Sequence, residues 1–216
     1  MFQRELLTVG ALAAAIFLAV AGAGWFTVRE LHEYSSKLVE DTLPGLVDSG
    51  LAGERMHDNR HTMREMLFPH TAAERAQMIE QVRTNGTDAL WQDYTASIFE
   101  PADRQNYQTT MLARSNYLQG CNQFLDLMSA GRIDEAAVLF NGELSRKFQD
   151  YNATAKNLFD YNMRQGIDRG KIILETSTYA PWVIAGVCVL MFGFGLLLGL
   201  RLVLSGAKLT RRQSNS

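Results

Sequence analysis

Cysteine and proline are scarce in this chain of 216 residues, with two of the first and four of the second. Each scarcity excludes a class of structure. Cys188 lies in an apolar run and Cys121 is the only cysteine in the polar middle of the chain, so no disulfide can staple that middle internally. Cys121 reads as a small buried apolar residue, with a bridge between subunits as the alternative. Few prolines and few β-branched runs, with apolar residues every three or four positions, argue against strands and for helices. An excess of one charge is missing too, since the formal net charge is −2. No nucleophile–base pair, phosphate loop or acidic catalytic pair can be traced, so the sequence is not read as an enzyme, and it calls for no cofactor.

Two long runs carry no charge at all. Residues 6–28 and 176–200 are each long enough to cross a hydrocarbon core of ~30 Å at ~1.5 Å per residue. The expected organisation is a short N-terminus (1–5), a first span (6–28), a domain (29–175), a second span (176–203) and a basic tail (204–216). Arg201, Lys208, Arg211 and Arg212 follow the second run without an acid, and Arg4 precedes the first. Short positive flanks stay in the cytoplasm. Both termini are therefore expected inside a bacterial inner membrane and residues 29–175 in the periplasm. Trp25, Tyr179 and Trp182 fall where aromatics meet lipid headgroups. A cleaved signal peptide is the alternative for the first run, because Ala19-Val20-Ala21 and Ala21-Gly22-Ala23 resemble cleavage sites. The middle segment holds 22 acidic and 16 basic residues, which makes it no nucleic-acid binder.

Within that segment the spacing predicts four helices. The first continues from the span to Phe68-Pro69, because a residue before proline resists the α region, and Pro44 is expected to bend it. The second opens on Thr71-Ala72-Ala73-Glu74, a capping-box pattern, and runs to Phe99-Glu100-Pro101. The third starts at Pro101, a favoured first helical residue, and stops at Ala130-Gly131. The fourth follows Arg132 and continues without a break into the second span, weakened by Gly166 and Gly170 and with a possible kink at Pro181. Short connections imply an all-α, antiparallel up-down-up-down four-helix bundle carried on two transmembrane helices.

Two stretches then stand out: Leu43-Pro44-Gly45-Leu46, and Ser129-Ala130-Gly131-Arg132-Ile133-Asp134-Glu135-Ala136-Ala137 followed by Phe140 and Gly142-Glu143-Leu144. With the flanking spans they resemble the ligand-binding region of bacterial methyl-accepting chemotaxis receptors. The resemblance implies a dimeric periplasmic sensor that binds amino or organic acids near its membrane-distal end and shifts its fourth helix across the membrane. Members of that family continue into a HAMP-type linker and a long methylated coiled coil, whereas 16 residues follow Leu200 here. The expectation is a truncated receptor, or a sensor that works through a partner such as a full-length chemoreceptor. A scaffold or dimerisation module that binds no solute is the competing reading.

The candidate ligand residues are Arg60, Arg64 and Asn141. Arg60 and Arg64 stand one turn apart on one helix face, where two guanidinium forks can hold a carboxylate; the ordinary alternative is solvation or pairing with Asp58 or Glu65. Arg114, at a core position, reads as one half of an internal ion pair. His57 and His61 share the same spacing and, with Met56, Met63 and Met66 around them, form a minor metal-site alternative. The rings of Tyr107, Tyr117, Phe124, Phe140, Phe148 and Tyr151 read as bundle core. Gly195-x-x-x-Gly199 and Ala11, Ala15 and Ala19 suit close packing between spans.

Overall fold

The computed structural model describes residues 2–213. All its regular structure among the described residues is helical: α1 Phe2–Lys37, a π-helical turn Leu38–Thr42, α2 Leu43–Glu65, α3 Ala72–Thr84, α4 Asp88–Ala96, α5 Pro101–Ser129, α6 Ile133–Asn141 and α7 Glu143–Gln213. Grouped by connection, α1 with α2, α3 with α4, α5, and α6 with α7 make the four rods of a four-helix bundle. By contacts the chain divides into two compact units. One is Ser36–Arg169; the other joins the described residues up to Ser35 with those from Gly170 onward.

The local signals act as expected at three ends. Thr71 accepts from the Glu74 backbone N–H at 3.2 Å, and the Glu74 carboxylate accepts from the Thr71 N–H at 2.7 Å, closing the capping box. Pro101 opens α5. Gly131 takes φ +71°, and the Arg132 and Gly131 amides donate back to Leu127 and Met128, which satisfies the last carbonyls of α5. Near Pro44 the first rod widens into the π turn rather than simply bending.

Two expectations need correction. The second rod is not continuous: it breaks at Asn85-Gly86-Thr87. Its apolar spacing runs on from Val82 to Leu90, but side chains of α2 capture the free carbonyls. Arg55 donates to Gly86 O at 2.8 Å and Asn59 to Asn85 O at 3.0 Å. The fourth rod also breaks, at Gly142, whose ψ of −101° leaves the helical range. Beyond Gly142, α7 is a single helix through Gly166, Gly170 and Pro181.

The core of the 36–169 unit is rich in methionine and aromatic side chains. Met56, Met63, Met66, Tyr94, Phe124, Leu144 and Leu158 are all buried. Two helices, Ala13–Glu65 and Glu143–Leu197, are long and apolar enough to cross a membrane. Their large side chains, Phe17, Leu18, Trp182 and Phe192 among them, are exposed. Among the described residues nothing lies within 4 Å of where a side chain would start at Gly195 or Gly199, so this glycine pair meets no close neighbour there.

Candidate functional site

Arg60 projects from α2 between two rings. Its guanidinium carbon lies 4.5 Å from the centroid of Phe140 and 4.3 Å from that of Phe148, a stacking that suits its weakly hydrated plane. Nη2 donates to Ser145 Oγ at 3.2 Å, while Nη1 is buried with no protein partner. Burial is the main influence on this group and lowers its pKa below the ordinary guanidinium value. Arg64 is exposed on the same helix. Asn141 is exposed too, its amide donating to Ala137 O at 3.0 Å. Among the described residues no hydrogen bond joins the three.

The remaining candidates have structural partners. His57 bonds to Asn152 at 3.0 Å and meets the edge of Phe148, 5.2 Å between centroids, while His61 is exposed. No group of three or more His, Cys, Asp or Glu residues suited to a metal occurs among the described residues. Arg114 donates through Nε to Thr87 Oγ1 at 3.1 Å and through Nη2 to Asp88 at 2.6 Å. It thereby closes the break in the second rod with an internal ion pair.

Beside that break lies a cavity of about 250 Å³. All four rods line it, with Met56, Asn85, Arg114, Tyr117, Cys121 and Tyr151 among its walls. Tyr117 is 3% exposed, and the neighbour that its buried hydroxyl meets is the Cys121 thiol. Burial pushes the neighbouring Cys121 thiol up to about 11. A larger depression of about 760 Å³ faces α5 and α6, but Arg132, a cation on its rim, is already paired with Glu135.

A second polar centre joins residues that adjoin the apolar stretches in sequence. Arg169, on α7, is 4% exposed. Its Nη1 donates to Asp41 Oδ2 at 2.8 Å, to Thr42 Oγ1 at 2.5 Å and to Lys37 O at 3.1 Å. Its Nη2 donates to Glu100 Oε1, whose other oxygen accepts from the Tyr161 hydroxyl at 2.8 Å. Deeper in, Asn162 Nδ2 donates to Tyr94 Oη at 2.6 Å, and that hydroxyl donates to Asp103 Oδ1 at 2.6 Å. The π turn presents Asp41, Thr42 and the Lys37 carbonyl together, in keeping with the frequent placement of such turns at functional positions.

Burial dominates at Asp41 and Asp103 and raises both carboxyls above the usual 3.8, against the hydrogen bonds from Arg169 and Tyr94. At Glu100 the Tyr161 hydrogen bond leads, and the carboxyl is held below its usual value. For Arg169, burial opposes the charge, but Asp41 and Glu100 outweigh it and raise the pKa. Sequence reasoning missed this cluster. The signal was the spacing of the fourth rod: Arg169 stands seven residues beyond Asn162, which reads as a core position, so continuing the register would have placed it inside.

A family model described as a four helix bundle sensory module for signal transduction matches residues 4–171. No curated protein matches the chain.

Proposed function

Because the chain belongs to the family of four helix bundle sensory modules for signal transduction, we propose that it is a membrane-anchored, chemoreceptor-like sensor. Its bundle takes up a small solute of the amino or organic acid class, and a shift of α7 carries the event across the inner membrane. Residues 29–175 face the periplasm in this reading and both termini face the cytoplasm, as the basic flanks favour.

The observation that carries the reading is the position of Arg169. It sits on the same helix, Glu143–Gln213, as the second apolar stretch, and it ties that helix to Asp41, Thr42 and Glu100. Packed, paired contacts of this kind tend to have discrete arrangements rather than a continuous slide. A solute biases such an arrangement only through different affinities for its two states. A homodimer is part of the proposal. Val39, Leu43, Val47 and Leu51 recur every fourth residue of the first rod and remain 41% to 60% exposed, an apolar stripe that a second copy would cover. Arg60, nine residues beyond Leu51, lies half a turn away from Leu51 at ~100° per residue.

The test uses the full chain in lipid nanodiscs with single cysteines placed along α7 near Thr176 and near Arg201. Amino acids and organic acids are screened for a rise in thermal midpoint, and hits for a change in thiol labelling at both positions. A hit that protects one end and exposes the other is the expected result. Stabilising hits that leave labelling unchanged overturn the transmission step. No hit, together with a dimer that Val47→Lys dissociates, favours the scaffold reading.

A further inference from the structure

The first rod carries its π-helical turn at Leu38–Thr42, where the Leu43 N–H donates five residues back, to Leu38 O. Lys37 and Leu43, on either side, keep α dihedrals, at φ −60°, ψ −36° and φ −67°, ψ −46°. The turn is therefore a change of register inside a continuous helix rather than a break. Two causes meet there. Pro44 has no N–H, and in an unbroken α register its ring would crowd the Glu40 carbonyl, so a wider turn relieves that contact. The second cause comes from the fourth rod. Arg169 Nη1 reaches Lys37 O, Asp41 and Thr42 at 3.1, 2.8 and 2.5 Å, which inserts a side chain into the carbonyl ladder of the first rod. Gly166, three residues earlier on α7, leaves room for the widened turn, since a methyl there would stand 3.1 Å from that of Thr42.

From this we infer that the turn is a register latch set by Arg169. With Arg169 docked, the first rod holds one extra residue in the wide turn. When Arg169 leaves, the turn closes to the α register. The helix before it then changes phase against the helix after it by one residue, ~100°. In either register Pro44 withholds one backbone bond, so neither form has a complete ladder to favour it. Undocking does not strand the guanidinium, because Nη2 stays with Glu100, which lies outside the turn. Val39 and Glu40 are exposed, so buried packing within the chain does not oppose the change on that side. The sensor reading moves α7. The latch goes beyond it and gives the event a second way out, through the rod that leads into the first apolar run.

The experiment uses the full chain in nanodiscs in a Cys188→Ala background, Cys121 being buried. Single cysteines at positions 29–36 and 46–53 are labelled with a water-soluble maleimide, and the most reactive face of each stretch is read from the period of the rates. Arg169→Met with Asp41→Leu removes the latch without leaving Asp41 as an unpaired buried charge. The expected result is a shift of the 29–36 face by one position against an unmoved 46–53 face. Deleting Glu40 in that variant takes the extra residue out of the chain and should return the face to its parent position. Gly166→Ala is a second route that leaves Arg169 intact, and it should shift the face the same way. Thr42→Ser, which removes the methyl and keeps the hydroxyl that Arg169 meets, should reverse that shift.

A face that stays in place in both variants overturns the latch and leaves the sensor reading to the α7 labelling. A face that shifts but does not return on deletion of Glu40 reports lost packing rather than register, and overturns it as well. A shift with Gly166→Ala alone overturns the role of Arg169. A shift in the Arg169 variant that the deletion reverses supports the latch, whatever Gly166→Ala does.

Discussion

Around Arg169 the buried charges are tied into a network, whereas the half of the bundle nearer its turns leaves Arg60 Nη1 and Arg75 Nε buried without partners. The first layer is a finished structure. Guanidinium, carboxylates, hydroxyls and an amide from all four rods satisfy one another, and such a network fixes which helix faces which. The second layer is built from rings and methionines, with polar atoms left over. A buried polar atom without a partner costs free energy, and a bound solute can recover it. The contrast separates a part of the bundle that ties α7 to the other rods from a part with polar atoms left over.

The sharpest way to break the comparison is to make the same substitution in both layers. Arg169→Met leaves Asp41 charged, buried and unpaired, and should cost about 3–5 kcal/mol of stability, read by chemical denaturation of the detergent-solubilised chain. Arg169→Met combined with Asp41→Leu should recover much of that loss, because replacing both members of a buried pair is often neutral.

A second test sharpens the picture of the charged layer through pH. Asp103 has its pKa raised above 3.8, with burial as the largest cause and Asp41, Glu100 and Arg169 as the charges around it. Its ionisation thus costs more in the folded state than in the unfolded chain, and the cost grows as pH rises from 3.8 to the folded value. Asp103→Asn, which keeps an acceptor for Tyr94, should gain stability relative to the parent across that window and hold a constant difference above it. For Glu100 the sign is opposite. Its folded pKa is lowered, so its contribution is present above the unfolded value and lost as pH falls, and Glu100→Gln should show the reverse trend.

Smaller effects belong to the turn side. Thr71→Ala opens the capping box and should cost about 1 kcal/mol, seen as faster amide exchange in the first turn of α3. Smallest of all, Arg60→Met should change stability by less than about 1 kcal/mol. A thioether fits between Phe140 and Phe148, and no carboxylate is abandoned.

Much of the scaffold was legible because its signals are local. A capping box, a proline at a helix start and a glycine at a helix stop act within a few residues, and Thr71, Pro101 and Gly131 do in the structure what their sequence context predicts. The breaks at Asn85-Gly86 and Gly142 were not legible, since apolar spacing continues across both and the side chains that stabilise the first, Arg55 and Asn59, come from another helix. The polar layer failed for the same reason: Asp41 and Arg169 are 128 residues apart, and neither looks unusual in its own segment. Arg60 was singled out as half of an arginine pair, and the two side chains take different places. One guanidinium turns inward onto rings and Arg64 remains in solvent.

The Asn162–Tyr94–Asp103 chain has a direction, and the direction reaches a fourth position. A carboxylate can only accept, so the Tyr94 proton goes to Asp103, and the lone pair left on that oxygen requires N–H from Asn162. The second amide hydrogen serves Leu158 O at 3.2 Å. The amide oxygen is thereby turned toward residue 45, where a methyl would sit 2.9 Å from it. That methyl would also stand 3.1 Å from Cγ and 3.2 Å from Nδ2 of the same amide, so alanine at residue 45 would have to push the whole amide of Asn162 away from Tyr94.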